Sequence, residues 1–129
     1  MRKVTSQIRN AWLAGRSKTV GNTTTDGSSV YLHGNEVIRL NGGGNSVQAR
    51  LAGWNTPTTR ERLKMVSENG SGRFTQRDFE PLLDGKPICD RTWYDVGYIW
   101  EGKFIETPDM GLMIPDEVID MQIMEARGK

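Results

Sequence analysis

The N-terminal segment places its apolar side chains at helical spacing. Val4, Ile8 and Trp12 stand four residues apart and Ala11 falls on the same side, whereas charged and amide side chains lie elsewhere. Gly15 follows and is a natural end, because glycine readily adopts the left-handed conformation that terminates many helices. The spacing predicts a short amphipathic helix that buries one side.

Beyond this helix the pattern changes to alternation, which is typical of β-strands. Dipeptides favoured in tight turns separate the alternating runs: Asp26-Gly27 suits a type I′ turn, and Gly34-Asn35 suits a type II′ turn. A glycine-rich loop at 41–45 precedes one more run. These signals predict an antiparallel meander of up to four strands, with the threonine-rich first strand at an edge.

The second of these turns also predicts how two strands pair. With residues 34 and 35 in the loop, Leu32 faces Val37, and His33 faces Glu36 across the turn. Successive pairs then alternate between the two faces of the sheet. Since apolar pairs fall on both faces, each face is expected to be partly covered.

A second helix is predicted to begin at Thr58. Pro57 favours an extended residue before it, and Thr58 with Glu61 has the capping-box spacing, in which each side chain binds the other's free backbone amide. Leu63 and Val66 then lie on the buried side. The remaining positions are expected to face solvent and carry three basic residues, Arg60, Arg62 and Lys64.

The second half is predicted to alternate between strands and turns. Residues 73–75 form a candidate short strand, and residues 81–90 are rich in turn formers. The runs 94–100 and 103–107 predict a hairpin closed by the two-residue turn Glu101-Gly102.

The last predicted element is a helix over residues 115–126. Pro115 suits a first turn, acidic residues follow it, and basic residues close the segment, which complements the helix dipole. Its apolar stripe is wider than one small sheet needs, so we expect it to pack on another copy or a partner as well as on its own domain. The stripe comprises Ile114, Val118, Ile119, Met121 and Ile123.

These elements predict one α+β domain, an antiparallel β-meander with N-terminal, central and C-terminal helices. The length of 129 residues fits a single domain. The chain lacks the run of ~20 apolar residues that a membrane span needs, and its start lacks the features of a signal peptide. We therefore expect a soluble protein that is not exported, with no membrane partner.

Charge divides the chain into two unlike halves. Residues 1–64 carry ten basic and three acidic side chains, a net charge of +7, whereas residues 65–129 carry seven and thirteen, a net charge of −6. This asymmetry fits a surface on the first half that faces a polyanion. It fits equally well a mutual attraction between two halves that fold together, and the sequence leaves both interpretations open.

Few residues offer chemistry for catalysis or metal binding. Cys89 is the single cysteine, which excludes an intramolecular disulfide or a multi-cysteine zinc site and suits a reducing cytoplasm. His33 is the single histidine, and no partners stand at metal-ligand spacing, so pairing with Glu36 is the simpler interpretation. The loop at 41–45 lacks the lysine of a phosphate-binding loop. We expect no cofactor, no metal and no enzymatic activity.

The segment from Trp54 to Lys64 is the strongest candidate for binding. It combines an aromatic ring, three threonines, a helix start and three basic side chains, all suited to contacts with a nucleic-acid backbone. The structural alternative is that Trp54 packs in the core, Thr58 caps the helix, and the basic residues only form its solvent side.

Two motifs resemble a known group of proteins. The chain reads YLHGN at 31–35 and LAGWNTPTTRERL at 51–63, and it has an Asp-Gly-Lys-Pro turn at 84–87. This pattern resembles small, mostly uncharacterised proteins of tailed bacteriophages, which typically carry an HGN hairpin followed by GWxTxTT, a basic residue, and xRL. The resemblance covers residues 1–95 and makes 96–129 a C-terminal extension, a hairpin plus helix packed on the same domain. It implies a phage accessory protein in the host bacterial cytoplasm, with no catalytic residue to transfer.

The leading hypothesis is therefore a non-enzymatic phage protein whose basic first half binds nucleic acid. The alternative is a protein-binding inhibitor or modulator of a host system that uses the acidic, aromatic C-terminal extension. Under the leading hypothesis the contacts come from Arg60, Arg62 and Lys64, with help from Arg39, Arg50, Arg9 and Lys18.

Overall fold

The computed structural model describes residues 1–41 and 45–107, and it confirms an α+β fold with an antiparallel meander. Helix α1 spans Lys3–Leu13, and helix α2 spans Pro57–Arg62 and continues into a 3-10 helix over Leu63–Val66. The predicted C-terminal helix at 115–126, with its proposed role in self-association, lies outside the described residues.

Within the described residues, ten strands form two sheets. Seven of them make an antiparallel half-barrel in the order β1-β2-β3-β4-β5-β9-β10, and three make a small sheet in the order β6-β7-β8. The bounds are β1 Lys18–Val20, β2 Thr23–Thr25, β3 Val30–Leu32, β4 Asn35–Leu40, β5 Ser46–Ala49, β6 Phe74–Arg77, β7 Glu80–Leu83, β8 Lys86–Pro87, β9 Tyr94–Trp100 and β10 Lys103–Glu106.

Helix α1 covers one face of the large sheet, as its apolar spacing predicts. Ile8, Ala11 and Trp12 are buried, and the helix packs against β1 and β2. The indole of Trp12 donates to the carbonyl of Ser28 at 2.9 Å, so its one polar atom is satisfied inside the core. We call this covered side of the sheet its inner face and the opposite side its outer face.

The turn between β3 and β4 corrects the sequence prediction. Leu32 pairs with Asn35, so the two loop residues are His33 and Gly34, both with positive φ, and not Gly34 and Asn35. A shift in the pairing then places Val30 opposite Ile38. A bulge of this kind supplies one extra residue, and both Val37 and Ile38 are buried.

The Asp26-Gly27 turn is also longer than predicted. Thr25 pairs with Val30, which leaves a four-residue loop at 26–29. The Asp26 carboxylate accepts hydrogen bonds from the backbone N–H groups of Ser28 and Ser29, at 2.9 and 2.7 Å. These bonds, with that of Ser29 first, lower the pKa of Asp26 and stabilise the wider loop.

The predicted first strand is in fact two short strands. Residues 18–20 and 23–25 pair as β1 and β2 across a turn at 21–22, and β1 lies at the sheet edge. Thr23 and Thr25 are fully buried on the inner face. Threonine is tolerated there because each hydroxyl has a partner: that of Thr25 donates to the carbonyl of Ser29 at 2.7 Å, and that of Thr23 donates to Asn22 at 2.8 Å.

The N-cap of helix α2 lies two residues before the predicted cap. Thr56 is the N-cap, with extended φ and ψ, and its hydroxyl accepts from the backbone N–H of Thr59 at 3.2 Å. Pro57 occupies the first helical position, where its missing N–H costs nothing. The capping box of Thr58 with Glu61 does not form, because the Glu61 side chain turns towards α1.

The second half adds the closing strands of the large sheet. The hairpin of β9 and β10 has the predicted two-residue turn, since Trp100 pairs with Lys103. Strand β9 also pairs with β5, so β9 is an interior strand of the sheet. It spans residues 94–100 and so includes the predicted boundary between residues 95 and 96, where the C-terminal extension was expected to begin. The candidate strand at 73–75 is β6, and the turn-rich region 81–90 contains most of β7 and all of β8.

Candidate nucleic-acid interface and motif pocket

Arg62, predicted to face solvent, is buried with 6% of its surface exposed. Its Nε donates to the Thr23 hydroxyl at 2.8 Å, and its Nη1 donates to the Thr5 hydroxyl at 3.1 Å. Burial lowers the pKa of Arg62, and the nearby Glu61 charge opposes that shift only in part. Arg62 therefore joins α2 to α1 and β2 and is not available to a phosphate.

Glu61 completes the same buried cluster. Its Oε2 accepts from the backbone N–H of Arg2 at 2.7 Å and from the Thr5 hydroxyl at 3.0 Å, and its Oε1 lies 3.1 Å from Lys64 Nζ. Burial raises the pKa of Glu61, but the hydrogen bonds from Arg2, Lys64 and Thr5 outweigh it, so the net pKa is lowered. Lys64 is thus paired with a carboxylate.

Two other predicted contacts are engaged in similar ways. Arg60 donates to the Asn55 side chain and, at 3.4 Å, to that of Gln76. Arg9 donates to the carbonyls of Met65 and Ser67 at 3.2 and 3.0 Å, and burial lowers its pKa. The structure does not gather the predicted basic residues into one surface, and Lys18 is exposed apart from them on the edge strand β1.

Arg39 and Arg50 are the predicted residues that lie together, on the outer face of the sheet. The guanidinium carbon of Arg39 lies 4.1 Å from the centre of the Trp93 ring, and that of Arg50 lies 4.3 Å from it. Both distances are within the ~6 Å range of cation–π contacts. We call Arg39, Arg50 and Trp93 the arginine–tryptophan cluster.

Hydrogen bonds fix both guanidinium groups. Arg39 Nε donates to Gln48 at 2.9 Å, Gln48 in turn donates to Asp95 at 2.9 Å, and Arg50 Nε donates to the carbonyl of Glu36 at 2.9 Å. Among the described residues, no hydrogen bond or ion pair engages the Nη groups of either arginine. These terminal donors are oriented and open to an acceptor from outside.

Exposed aromatic side chains continue the outer face along β9. Tyr98 is 43% exposed and pairs with Ser46, and Trp100 is 59% exposed and pairs with Lys103. Strand alternation places both on the side opposite the buried Phe104. Tyr98 and Trp100 belong to the predicted aromatic C-terminal extension. Trp93 was not predicted, because its contact with Arg39 and Arg50 depends on the long-range pairing of β5 with β9.

A pocket forms where the two sequence motifs meet. The HGN turn at 33–35 and the segment 54–59 lie side by side around a cavity of about 480 Å³. We call it the motif pocket. Its apolar floor consists of Leu32, Val37 and Leu51, and its rim consists of His33, Asn35, Trp54, Thr56, Thr58 and Thr59.

The backbone before the motif pocket has an unusual conformation. Ala52 and Gly53 both have positive φ, 56° and 83°. Other non-glycine residues of the described chain with positive φ stand in two-residue hairpin turns, whereas Ala52 does not. This left-handed pair turns the chain so that Trp54 is 58% exposed, and backbone bonds on both sides of Trp54 hold it there.

Comparison with known proteins identifies the family of this chain. The model of the Kyanoviridae Gp96 protein family matches residues 1–101. The chain belongs to this family. The chain is therefore a phage protein, and its family gives no specific function. No curated protein and no solved structure matches the chain. The family match confirms the phage resemblance and extends six residues beyond the predicted 1–95.

The single histidine and the single cysteine of this Gp96 family member, His33 and Cys89, are both exposed. His33 lies exposed at the β3–β4 turn, and it does not pair with Glu36, whose carboxylate accepts from the Ser29 hydroxyl at 2.6 Å. Cys89 is exposed, and hydrogen bonding from Thr92 lowers its thiol pKa. Within residues 1–41 and 45–107 no group of three His, Cys, Asp or Glu residues could hold a metal, and no helix could cross a membrane.

Proposed function

We propose that this protein is a non-enzymatic phage protein that binds single-stranded nucleic acid through the outer face of its large sheet. The observation that supports it most is the placement of Arg39 and Arg50 over Trp93, with their Nη groups open. Guanidinium groups in this state are ready donors to phosphate oxygens, because little side-chain freedom remains to be lost on binding.

The aromatic residues beside this cluster favour a single strand over a duplex. Tyr98 and Trp100 present exposed rings on the same face, and unpaired bases stack on such rings without regard to sequence. Lys103, opposite Trp100, adds a further cation. A strand could thus place phosphates on the arginines and bases on the rings.

The helix α2 region is a weaker candidate for the same role. The donors of Arg62 are directed to threonine hydroxyls, and Lys64 is paired with Glu61. With only six residues, α2 also offers little dipole to an anion. We therefore assign the phosphate contact to Arg39 and Arg50 instead of residues 54–64.

Fluorescence anisotropy of labelled oligonucleotides, measured over a series of salt concentrations, tests the proposal. Arg39→Gln with Arg50→Gln should weaken binding to single strands and reduce the salt slope by about 1.4, since each phosphate contact contributes about 0.7. The matched control is Arg60→Gln with Lys64→Gln, which removes the same charge from the α2 region and should leave the slope unchanged. Circular dichroism verifies that each variant is folded.

The aromatic contribution is tested separately. Trp100→Ala should weaken binding about tenfold with no change in salt slope, because a stacked base contributes about 1–3 kcal/mol. Phe79→Ala is the control, since Phe79 is 88% exposed but lies at the tip of the β6–β7 turn. Absence of binding at low salt, or equal losses of affinity in the Arg39/Arg50 and Arg60/Lys64 double variants, would refute the assignment.

A second candidate function is binding of a host protein through the same aromatic residues. The exposure of Tyr98 and Trp100, at the start of the predicted extension, favours it. Such an interface depends on buried aromatic area, so its affinity should change little with salt. A Trp100-dependent complex with a host protein that is insensitive to salt, in a chain that ignores oligonucleotides, would support this alternative.

A further inference from the structure

We propose that the motif pocket is a second binding site, which takes a neutral heteroaromatic ring of the nucleobase class. The site consists of residues other than the arginine–tryptophan cluster, and the proposal does not depend on the function of that cluster. Its volume of about 480 Å³ falls within the range of small-molecule sites.

The charge of the lining restricts the ligand. The pocket is lined by apolar, aromatic, hydroxyl and amide side chains and by His33, with no Lys, Arg, Asp or Glu among them. Burying an ion without a counter-charge is costly, so an anionic or cationic group gains nothing from entering. The bound group should therefore be neutral.

The arrangement of polar and apolar groups in the pocket restricts the shape of the ligand. The floor of Leu32, Val37 and Leu51 is fully apolar, and a sugar lying on it would lose hydrogen bonds to water without replacement. The rim carries hydroxyl and amide groups, which an aliphatic chain would leave unpaired. A flat ring with apolar faces and a polar edge satisfies both parts of the pocket.

Specific side chains are available for this role. Trp54 offers its ring, and hydrogen bonds to Leu51 and Thr56 fix the Trp54 backbone. Within the described part of the chain, the side chains of Asn35 and Thr58 make no hydrogen bond, although both line the cavity. Since Thr56 and not Thr58 caps α2, the Thr58 hydroxyl remains free for the ring edge.

Isothermal titration of the full chain with adenosine, guanosine, cytidine and uridine tests the proposal. At least one nucleoside should bind saturably, and its 5′-monophosphate should bind with similar affinity because no cation lines the pocket. Trp54→Ala should weaken binding about tenfold, as expected for a lost stacking partner. Thr58→Val, which keeps the side-chain shape, should weaken it several-fold, while Trp100→Ala should leave it unchanged.

Several results would overturn the assignment. These are no saturable binding by any nucleoside, a monophosphate that binds more than about tenfold tighter, or unchanged affinity in both pocket variants. Saturable binding of an aromatic amino-acid amide in place of nucleosides would instead assign the pocket to a protein partner. Oligonucleotide binding by the outer face can succeed or fail independently, because neither Arg39 nor Arg50 lines this pocket.

Discussion

Two pairs of arginines, placed in similar basic stretches of the sequence, have opposite fates in the structure. Around α2, Arg60 and Arg62 direct donors to Asn55, Thr5 and Thr23, and they connect parts of the fold. On the outer face, Arg39 and Arg50 rest on one indole and keep their terminal donors open. The net charge of a segment therefore does not locate a binding surface, because the partners of each guanidinium decide its role.

The largest expected difference between the two regions is in stability. Arg62→Met should lower the free energy of unfolding by about 3 kcal/mol, because the buried hydroxyls of Thr5 and Thr23 lose a charged donor and the Glu61 carboxylate loses a nearby positive charge. Arg39→Met should lower it by no more than about 1 kcal/mol, the scale of one exposed cation–π contact. Urea denaturation followed by circular dichroism measures both.

If Arg62→Met does not fold, Arg62→Lys provides the same comparison by a smaller margin, since it keeps the charge but loses the forked donors. Equal losses of unfolding free energy for the replacements at 62 and 39 would mean that the buried contacts of Arg62 add no stability beyond those of Arg39. The two regions would then not differ in the role of their arginines.

A smaller effect on stability is expected at the N-cap of α2. Thr56→Ala should cost about 1 kcal/mol, because the backbone N–H of Thr59 loses its cap. Thr58→Ala should stay within about 0.5 kcal/mol of the parent, because its hydroxyl caps nothing. The two thermal unfolding curves decide between Thr56 and the capping box predicted from sequence, and a larger loss for Thr58→Ala would restore the latter.

The smallest effect concerns pH. The pKa of Glu61 is lower in the folded chain than its ordinary value of 4.5, so its charge stabilises the fold above that pH. This contribution is lost as pH falls from 4.5 through the lowered folded pKa. Glu61→Gln should thus be less stable than the parent at neutral pH, and the difference should shrink as the solution is acidified below 4.5.

Unfolding of parent and variant over a series of pH values measures this difference. The Asp26 carboxylate also has a lowered pKa and is unchanged in both chains, so its contribution cancels in the comparison. A difference that stays constant through the acid range would show that Glu61 does not act through its charge.

Local signals predicted those parts of the fold that depend on local interactions. The burial of Ile8 and Trp12 and the turn at Glu101-Gly102 follow from spacing and turn chemistry, and the structure confirms them. The burial of Arg62 depends on Thr5 and Thr23, which lie far away in sequence, so no local pattern contained it.

The candidate sites show the same limit. The two motifs are recognisable in the sequence as features of a phage protein family. Their meeting around one cavity depends on how the β3–β4 turn packs against residues 54–59. The role of Trp93 depends on the pairing of β5 with β9, and a bulge near Val30 shifted the predicted β3–β4 pairing. Long-range pairing and bulges are the features that periodicity cannot supply.

The pairing of β5 with β9 has a consequence for the order in which the protein folds. Strand β5 ends at residue 49 and its partner begins at residue 94, so a large part of the chain separates them. During synthesis the first five strands can pair as soon as they emerge, while β5 waits for β9. The family match ends at residue 101, just after β9, so its span is about the shortest length of chain that supplies this last partner. Until β9 is synthesised, β5 remains an unpaired edge strand. A ribosome that paused before β9 would hold a nascent chain whose open edge can pair with other nascent chains.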